Sequence, residues 1–203
     1  MWLLALETST PTLSVALLKD KKPILEHSEQ SWRRHAKTVA PTIAELLATA
    51  GLQPSHLGAI SCGVGPGSFT GLRIGLSTAK GMAQALKIPL ITVSTLDVLA
   101  AAAVRPGFVT APLLDAKQDH IYCAFYHGAS CQDNFQPASG YLALKPEQVA
   151  AQAKELVETQ ALAVCGDGVS LCRDHFYAQG IEFLELQSWY SQPRASILGQ
   201  LAG

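Results

Sequence analysis

The residues best suited to chemistry lie in one stretch, Gly63-Val64-Gly65-Pro66-Gly67-Ser68-Phe69-Thr70-Gly71-Leu72-Arg73. A glycine-rich turn that opens a helix offers backbone N–H groups to an anion, and the helix dipole adds to the attraction. The spacing departs from both common phosphate loops. A dinucleotide fingerprint needs a glycine three residues after Gly67, where Thr70 stands, and a P-loop needs Lys-Ser/Thr after its last glycine, where Leu72 and Arg73 follow Gly71. The stretch therefore reads as a tight turn, freed by glycine and stiffened by Pro66, leading into a closely packed helix.

Other chemistries leave weaker traces. Glu7 and Asp115 stand at the ends of matching strands, and the hydroxyls of Thr8 and Ser9 follow Glu7. Facing carboxylates and hydroxyls of this kind could serve phosphoryl transfer, but the Asp-x-Gly that brings phosphate onto the backbone is missing. The carboxylates read instead as strand-end groups satisfied by turn N–H groups. A metal held by two histidines on one helix face needs them four apart. His27, His35, His56, His120, His127 and His175 include no such pair, and Val39 holds the place four after His35. No metal and no catalytic residue is expected, and His35 is expected to be exposed or in an interface. Gly-x-Ser-x-Gly is absent. The basic cluster Trp32-Arg33-Arg34-His35-Ala36-Lys37 reads as a solvated helix entrance sooner than as an RNA contact.

Composition narrows the class. The chain has 203 residues, 48% hydrophobic and only 15% charged, with net charge −1. That suits a globular protein with a large core and a partner-covered face, and argues against strong nucleic-acid binding by the chain alone. The five cysteines, Cys62, Cys123, Cys131, Cys165 and Cys172, are odd in number and lack Cys-x-x-Cys, so free thiols in a reducing compartment are expected. The N-terminus meets Glu7 too early for a signal peptide, and no apolar run approaches a membrane span. A cytoplasmic location follows as an expectation.

The elements that must position these residues can be read in order. Strands are expected at 2–7, 13–18 and 24–30, joined by turns too short for a parallel crossover and hence antiparallel. A helix follows at about 35–50, with Pro41 in its first turns, then the strand 59–64 and the helix of the opening stretch, capped by Ser68 or Thr70. A strand at 88–93 and a helix to Val104 complete the half, and Arg105-Pro106-Gly107 marks the boundary. The second half shows strands at 108–114, 120–126 and 141–144, a helix at 146–158, a strand at 162–165, a helix at 169–178, a strand at 181–186 and a helix at 193–201. Both halves read βββαβαβα. Two such subdomains, 1–104 and 105–203, with room for the last helix to pack back on the first, describe the α/β actin-like (ASKHA, RNase H-like) fold. Such folds bind nucleotide between the halves, which places Thr8, Ser9, Asp115 and Gly166-Asp167-Gly168 at the expected cleft.

Several segments together resemble one family. Leu-Ala-Leu-Glu-Thr-Ser-Thr at 4–10, the Gly-Pro-Gly-Ser-Phe-Thr-Gly-Leu-Arg block at 65–73 and Ile-Pro-Leu-Ile-Thr-Val-Ser-Thr-Leu at 88–96 look like the bacterial TsaB (YeaZ) family. Asp115-Ala116-Lys117 with Ile121-Tyr122 resembles that family's Asp-Ala-Arg…Tyr segment, and Cys165-Gly166-Asp167-Gly168 its Gly-Asp-Gly turn. The resemblance implies a non-catalytic paralogue of TsaD, the subunit that transfers threonylcarbamoyl to the adenosine beside the tRNA anticodon. It further implies pairing with a TsaD-like protein, a TsaE-like ATPase in a larger complex, indirect contact with tRNA, and a homodimer when alone. No cofactor is required by the isolated chain, and ATP or ADP belongs to the complex. The alternative is a small-molecule kinase or a glycoprotease-like peptidase of the same fold.

The partner surface is expected on the helices near 35–50 and 69–86, which carry more apolar and small positions than one buried face uses. Val39, Ile43, Leu46 and Leu47 on the first, and Gly71, Leu72, Gly75, Leu76, Ala79, Met82 and Ala83 on the second, are its candidates, with the small residues admitting a partner helix.

Overall fold

A computed structural model describes residues 1–30, 34–128, 137–157 and 160–203. The chain forms two compact units, Met1–Val98 with Pro193–Gly203, and Leu99–Gln192.

In the first unit β1 (Trp2–Glu7), β2 (Thr12–Lys19) and β3 (Lys22–Gln30) form an antiparallel meander, with Glu7 opposite Ser14 and Ser14 opposite Ser28. Asp20 and Lys21 make the β2–β3 turn with both φ values positive, the pattern a two-residue hairpin requires. α1 (His35–Thr49) follows, then β4 (Leu57–Gly63), α2 (Phe69–Leu86), β5 (Leu90–Val93) and α3 (Thr95–Ala103). β4 joins β1 in parallel, and the sheet order is β3-β2-β1-β4-β5.

Period-two alternation divides this sheet into two apolar faces. Leu4, Leu6, Leu13, Val15 and Leu17 meet Val39, Ile43, Leu46 and Leu47 of α1 and Ala79 and Ala83 of α2. Leu3, Ala5, Ala16 and Leu18 meet Val98 of α3 and Ala195 and Leu198 of the C-terminal helix α6 (Ala195–Leu201). That helix lies in the first unit, although the chain enters it from the second.

The second unit holds β6 (Phe108–Lys117), β7 (His120–Cys123), β8 (Tyr126–His127), β9 (Leu142–Leu144), α4 (Pro146–Leu156), β10 (Ala161–Cys165), α5 (Val169–Ala178) and β11 (Phe183–Glu185). Its order β11-β10-β6-β7-β9 repeats that of the first unit, with β8 also paired to β6. The phenylalanines Phe125 and Phe176 anchor its core among Leu113, Ile121, Val149 and Val164.

Three details differ from the sequence reading. β6 does not stop at Leu114: Asp115 and Lys117 stay paired with Ile121 and His120, and the turn shrinks to Gln118-Asp119, both left-handed. The strand expected at 120–126 breaks at Ala124-Phe125, because Tyr126 and His127 pair farther back along β6, with Thr110 and Val109. The division after Val98 precedes the boundary read at 104, because α3 begins in one unit and ends in the other. Among the described residues no helix is long and apolar enough to cross a membrane.

Candidate functional site

The glycine-rich turn is braced on three sides. Val64 N donates to Val93 O at 3.0 Å, Thr95 N to Gly65 O at 2.8 Å, and Ser68 N to Ser9 O at 2.7 Å. Ser68, not Thr70, caps α2, accepting from Gly71 N at 3.2 Å. The small face of the helix then seats itself on the β1–β2 turn. Thr8 Oγ1 donates to Gly71 O at 2.9 Å. A Cβ on Gly71 would stand 2.1 Å from Thr8 O, and one on Gly75 2.2 Å from Thr8 Oγ1.

These contacts correct several assignments. Gly71 and Gly75 admit the chain's own β1–β2 turn, not a partner helix. Ala79 and Ala83, with Val39, Ile43, Leu46 and Leu47, are buried in the first unit's core. A partner cannot touch side chains already covered by the sheet. Thr8 and Ser9 are buried as well, so their hydroxyls do not fit a phosphate beside this turn. Nor is His35 exposed: it is buried, and its Nε2 lies 2.9 Å from Thr10 O, tying the start of α1 to the same turn. Glu7 is fully buried, with Oε1 accepting from Ser9 N at 2.7 Å. Burial pushes its carboxyl above the ordinary range, an effect only partly offset by Ser9, Thr8 and Thr95.

In the second unit the structure brings Asp115 and Asp167 together. Asp167 Oδ1 accepts from Asp115 N at 3.0 Å, and Gly168 N donates to Leu113 O at 3.0 Å, while Gly166 N donates to Ser191 Oγ at 2.8 Å. The Asp115 carboxylate takes Lys117 N at 2.7 Å and Lys117 Nζ at 2.5 Å, and these bonds hold its pKa below the ordinary value. Both carboxylate oxygens therefore already serve the hairpin. Among the described residues no three His, Cys, Asp or Glu side chains gather closely enough to hold a metal ion.

The candidates left at the surface are Leu76, exposed, and Leu72 and Met82, half-buried. Two neighbours join them that the sequence reading missed: Val64, 45% exposed, and Phe69, 70% exposed. Arg73 stacks its guanidinium 4.3 Å from the Phe69 ring centre. On α1 the outward side consists of Ala40, Pro41, Ala44 and Ala48, beside Lys37 and Glu45. The available signal was position: Val64 and Phe69 sit at the two ends of a turn, where no core face needs them. Of the basic cluster, Arg34 and Lys37 are exposed, and Trp32 and Arg33 lie outside the described residues.

Comparison with known proteins gives this arrangement a lineage. The family model described as TsaD: tRNA N6-adenosine threonylcarbamoyltransferase matches residues 27–188. The structure of YeaZ from Pseudomonas aeruginosa superposes with a TM-score of 0.82 at 33% identity, covering 100% of this chain and 90% of that one. The chain belongs to the TsaB (YeaZ) family. A curated TsaB relative, the tRNA threonylcarbamoyladenosine biosynthesis protein of Escherichia coli (strain K12), is 38% identical over 128 residues, 62% of this chain. The chain spans about half the length of that TsaB protein, 55%. A ROK hexokinase from Thermus thermophilus, 13% identical with a TM-score of 0.53 over 98% of this chain and 97% of its own, shares the actin-like fold alone.

Proposed function

We propose that this chain is a non-catalytic partner subunit that binds a TsaD-like transferase and supports it in forming threonylcarbamoyladenosine at the tRNA adenosine adjacent to the anticodon. The observation that carries the reading is the redeployment of the β1–β2 turn. Where a phosphotransferase of this fold would offer hydroxyls to a phosphate, Thr8 donates to Gly71 O and Ser9 is covered. The turn has become a brace for α2. That brace thrusts Phe69 and Leu76 into solvent, leaving apolar surface that suits a protein partner. The partner surface is Val64, Phe69, Leu72, Leu76 and Met82, flanked by the alanine side of α1. A second copy competes for the same surface when the transferase is absent. A TsaE-like ATPase, ATP or ADP and tRNA meet the assembled cytoplasmic complex, not this chain alone.

The test is co-purification of the chain with a TsaD-like protein, comparing wild type with Phe69→Glu and Leu76→Glu. A charge forced into a desolvated seam costs about 3 kcal/mol or more when unpaired, so binding should weaken by roughly a hundredfold. Both side chains are exposed, so thermal melts should stay near wild type. Wild-type binding by both folded variants would move the interface elsewhere.

A further inference from the structure

The contacts that seat α6 come from strands far away in the sequence. Glu26, on the edge strand β3, accepts from Ser196 N and Ser196 Oγ at 2.9 Å each and from Arg194 Nε at 3.0 Å; Arg194 Nη2 also donates to it. Ser14 Oγ donates to Glu26 at 3.1 Å, and itself accepts from Ala195 N and Ser28 Oγ at 2.9 Å each. Ala195 and Ser196 open the helix, and the Arg194 side chain does not cap it. The N–H groups that a local cap would satisfy are thus satisfied from across the sheet.

The apolar side of the helix packs on the same face, with Ala195 and Leu198 buried and Ile197, Leu201 and Ala202 partly buried against it. The helix has seven residues, too few to hold its own shape in water. Its buried residues are Ala195, Ser196, Leu198 and Gly199, so Leu198 is the one large apolar side chain it buries fully. By contrast α1 buries Val39, Ile43, Leu46 and Leu47. At the far end Lys21 Nζ donates to Gly203 O at 2.6 Å, from an exposed position.

We propose that Pro193–Gly203 is a latch that opens as one unit while both sheets stay folded, with the Glu26 carboxylate as its catch. Opening uncovers the Leu3, Ala5, Ala16 and Leu18 face of the first sheet. Short elements gripped by partly exposed hydrogen bonds open below the global transition more readily than the strands they cover.

Hydrogen exchange on the full chain at neutral pH tests this. The amides of Leu198 and Ala202, bonded to Arg194 O and Leu198 O, should exchange at least about tenfold faster than those of β1 and β2 in the wild type. Glu26→Gln removes the charge from five contacts and should speed the α6 amides by a further ~10–100-fold, with the amides of β1, β2, β6 and β10 unchanged. Should Glu26→Gln fail to fold, Arg194→Gln removes one partner from the exposed side and should show the same selective pattern at smaller size. Exchange of α6 at the same rate as β1, or equal acceleration of every strand in either variant, would overturn the latch.

Discussion

Glu7 ends the first strand, directly before the hydroxyls of Thr8 and Ser9, a placement that suggests an active carboxylate. Its surroundings deny it that role. Ser9 N and Thr95 Oγ1 approach its two oxygens, at 2.7 and 3.5 Å, and Gly63 leaves no space beside Oε2 for even a methyl group. A carboxyl so enclosed holds its proton above its ordinary pKa of 4.5, because burial disfavours the charged form. The sign of the linkage follows. The contribution of Glu7 to stability is fully present below 4.5 and is lost as pH rises through the raised folded value. Glu7→Gln keeps the shape, accepts from Ser9 N and no longer titrates. Urea unfolding should show the variant gaining on the wild type as pH rises from 4.5, until the folded carboxyl ionises. A constant difference between the two across that range would mean that Glu7 is charged in the folded protein.

The helix α2 shows what an element's sequence reveals and what it hides. Its limits were legible, because a glycine-rich turn, a hydroxyl cap and a run of periodic apolar residues all mark the same start. Its neighbours were not. Gly71, Gly75 and Gly81 look alike in the sequence, yet Thr8 presses on the first two and nothing lies within 4 Å of a Cβ at the third. The same ambiguity misassigned Val39 and Ile43: periodicity reports that a face is apolar, not which surface covers it. Phe69, by contrast, opens the helix and is largely exposed, although the sequence reading did not count it among the partner-surface residues. The glycines give a paired test. Gly71→Ala must displace the Thr8 backbone and should cost about 1–3 kcal/mol, whereas Gly81→Ala should gain ~0.5–1 kcal/mol from helix propensity alone. Denaturant midpoints of the two single variants, moving in opposite directions, check the assignment.

Across the whole molecule the described cysteines behave as core residues. Cys62, Cys123, Cys165 and Cys172 are free and buried, and burial pushes each thiol up to about 12. At neutral pH almost none is thiolate, the form that reacts. An aromatic disulfide reagent should leave all four unmodified in the native protein and reach them only as the chain unfolds, with peptide mapping to separate them from Cys131. Labelling of Cys123 or Cys172 faster than Cys62 would show the second unit opening on its own.

The position of α6 also has a consequence for how the protein is made. Leu3, Ala5, Ala16 and Leu18 leave the ribosome early, and the helix that covers them is translated only after Leu99–Gln192. The second unit is one continuous stretch, so it owns all of its parts while the first still waits for its last one. The usual N-terminal-first order of a nascent chain is therefore reversed at the final step. During that wait the first sheet shows the cell the part of one apolar face that Ala195 and Leu198 will cover, which is the form a holding chaperone would meet.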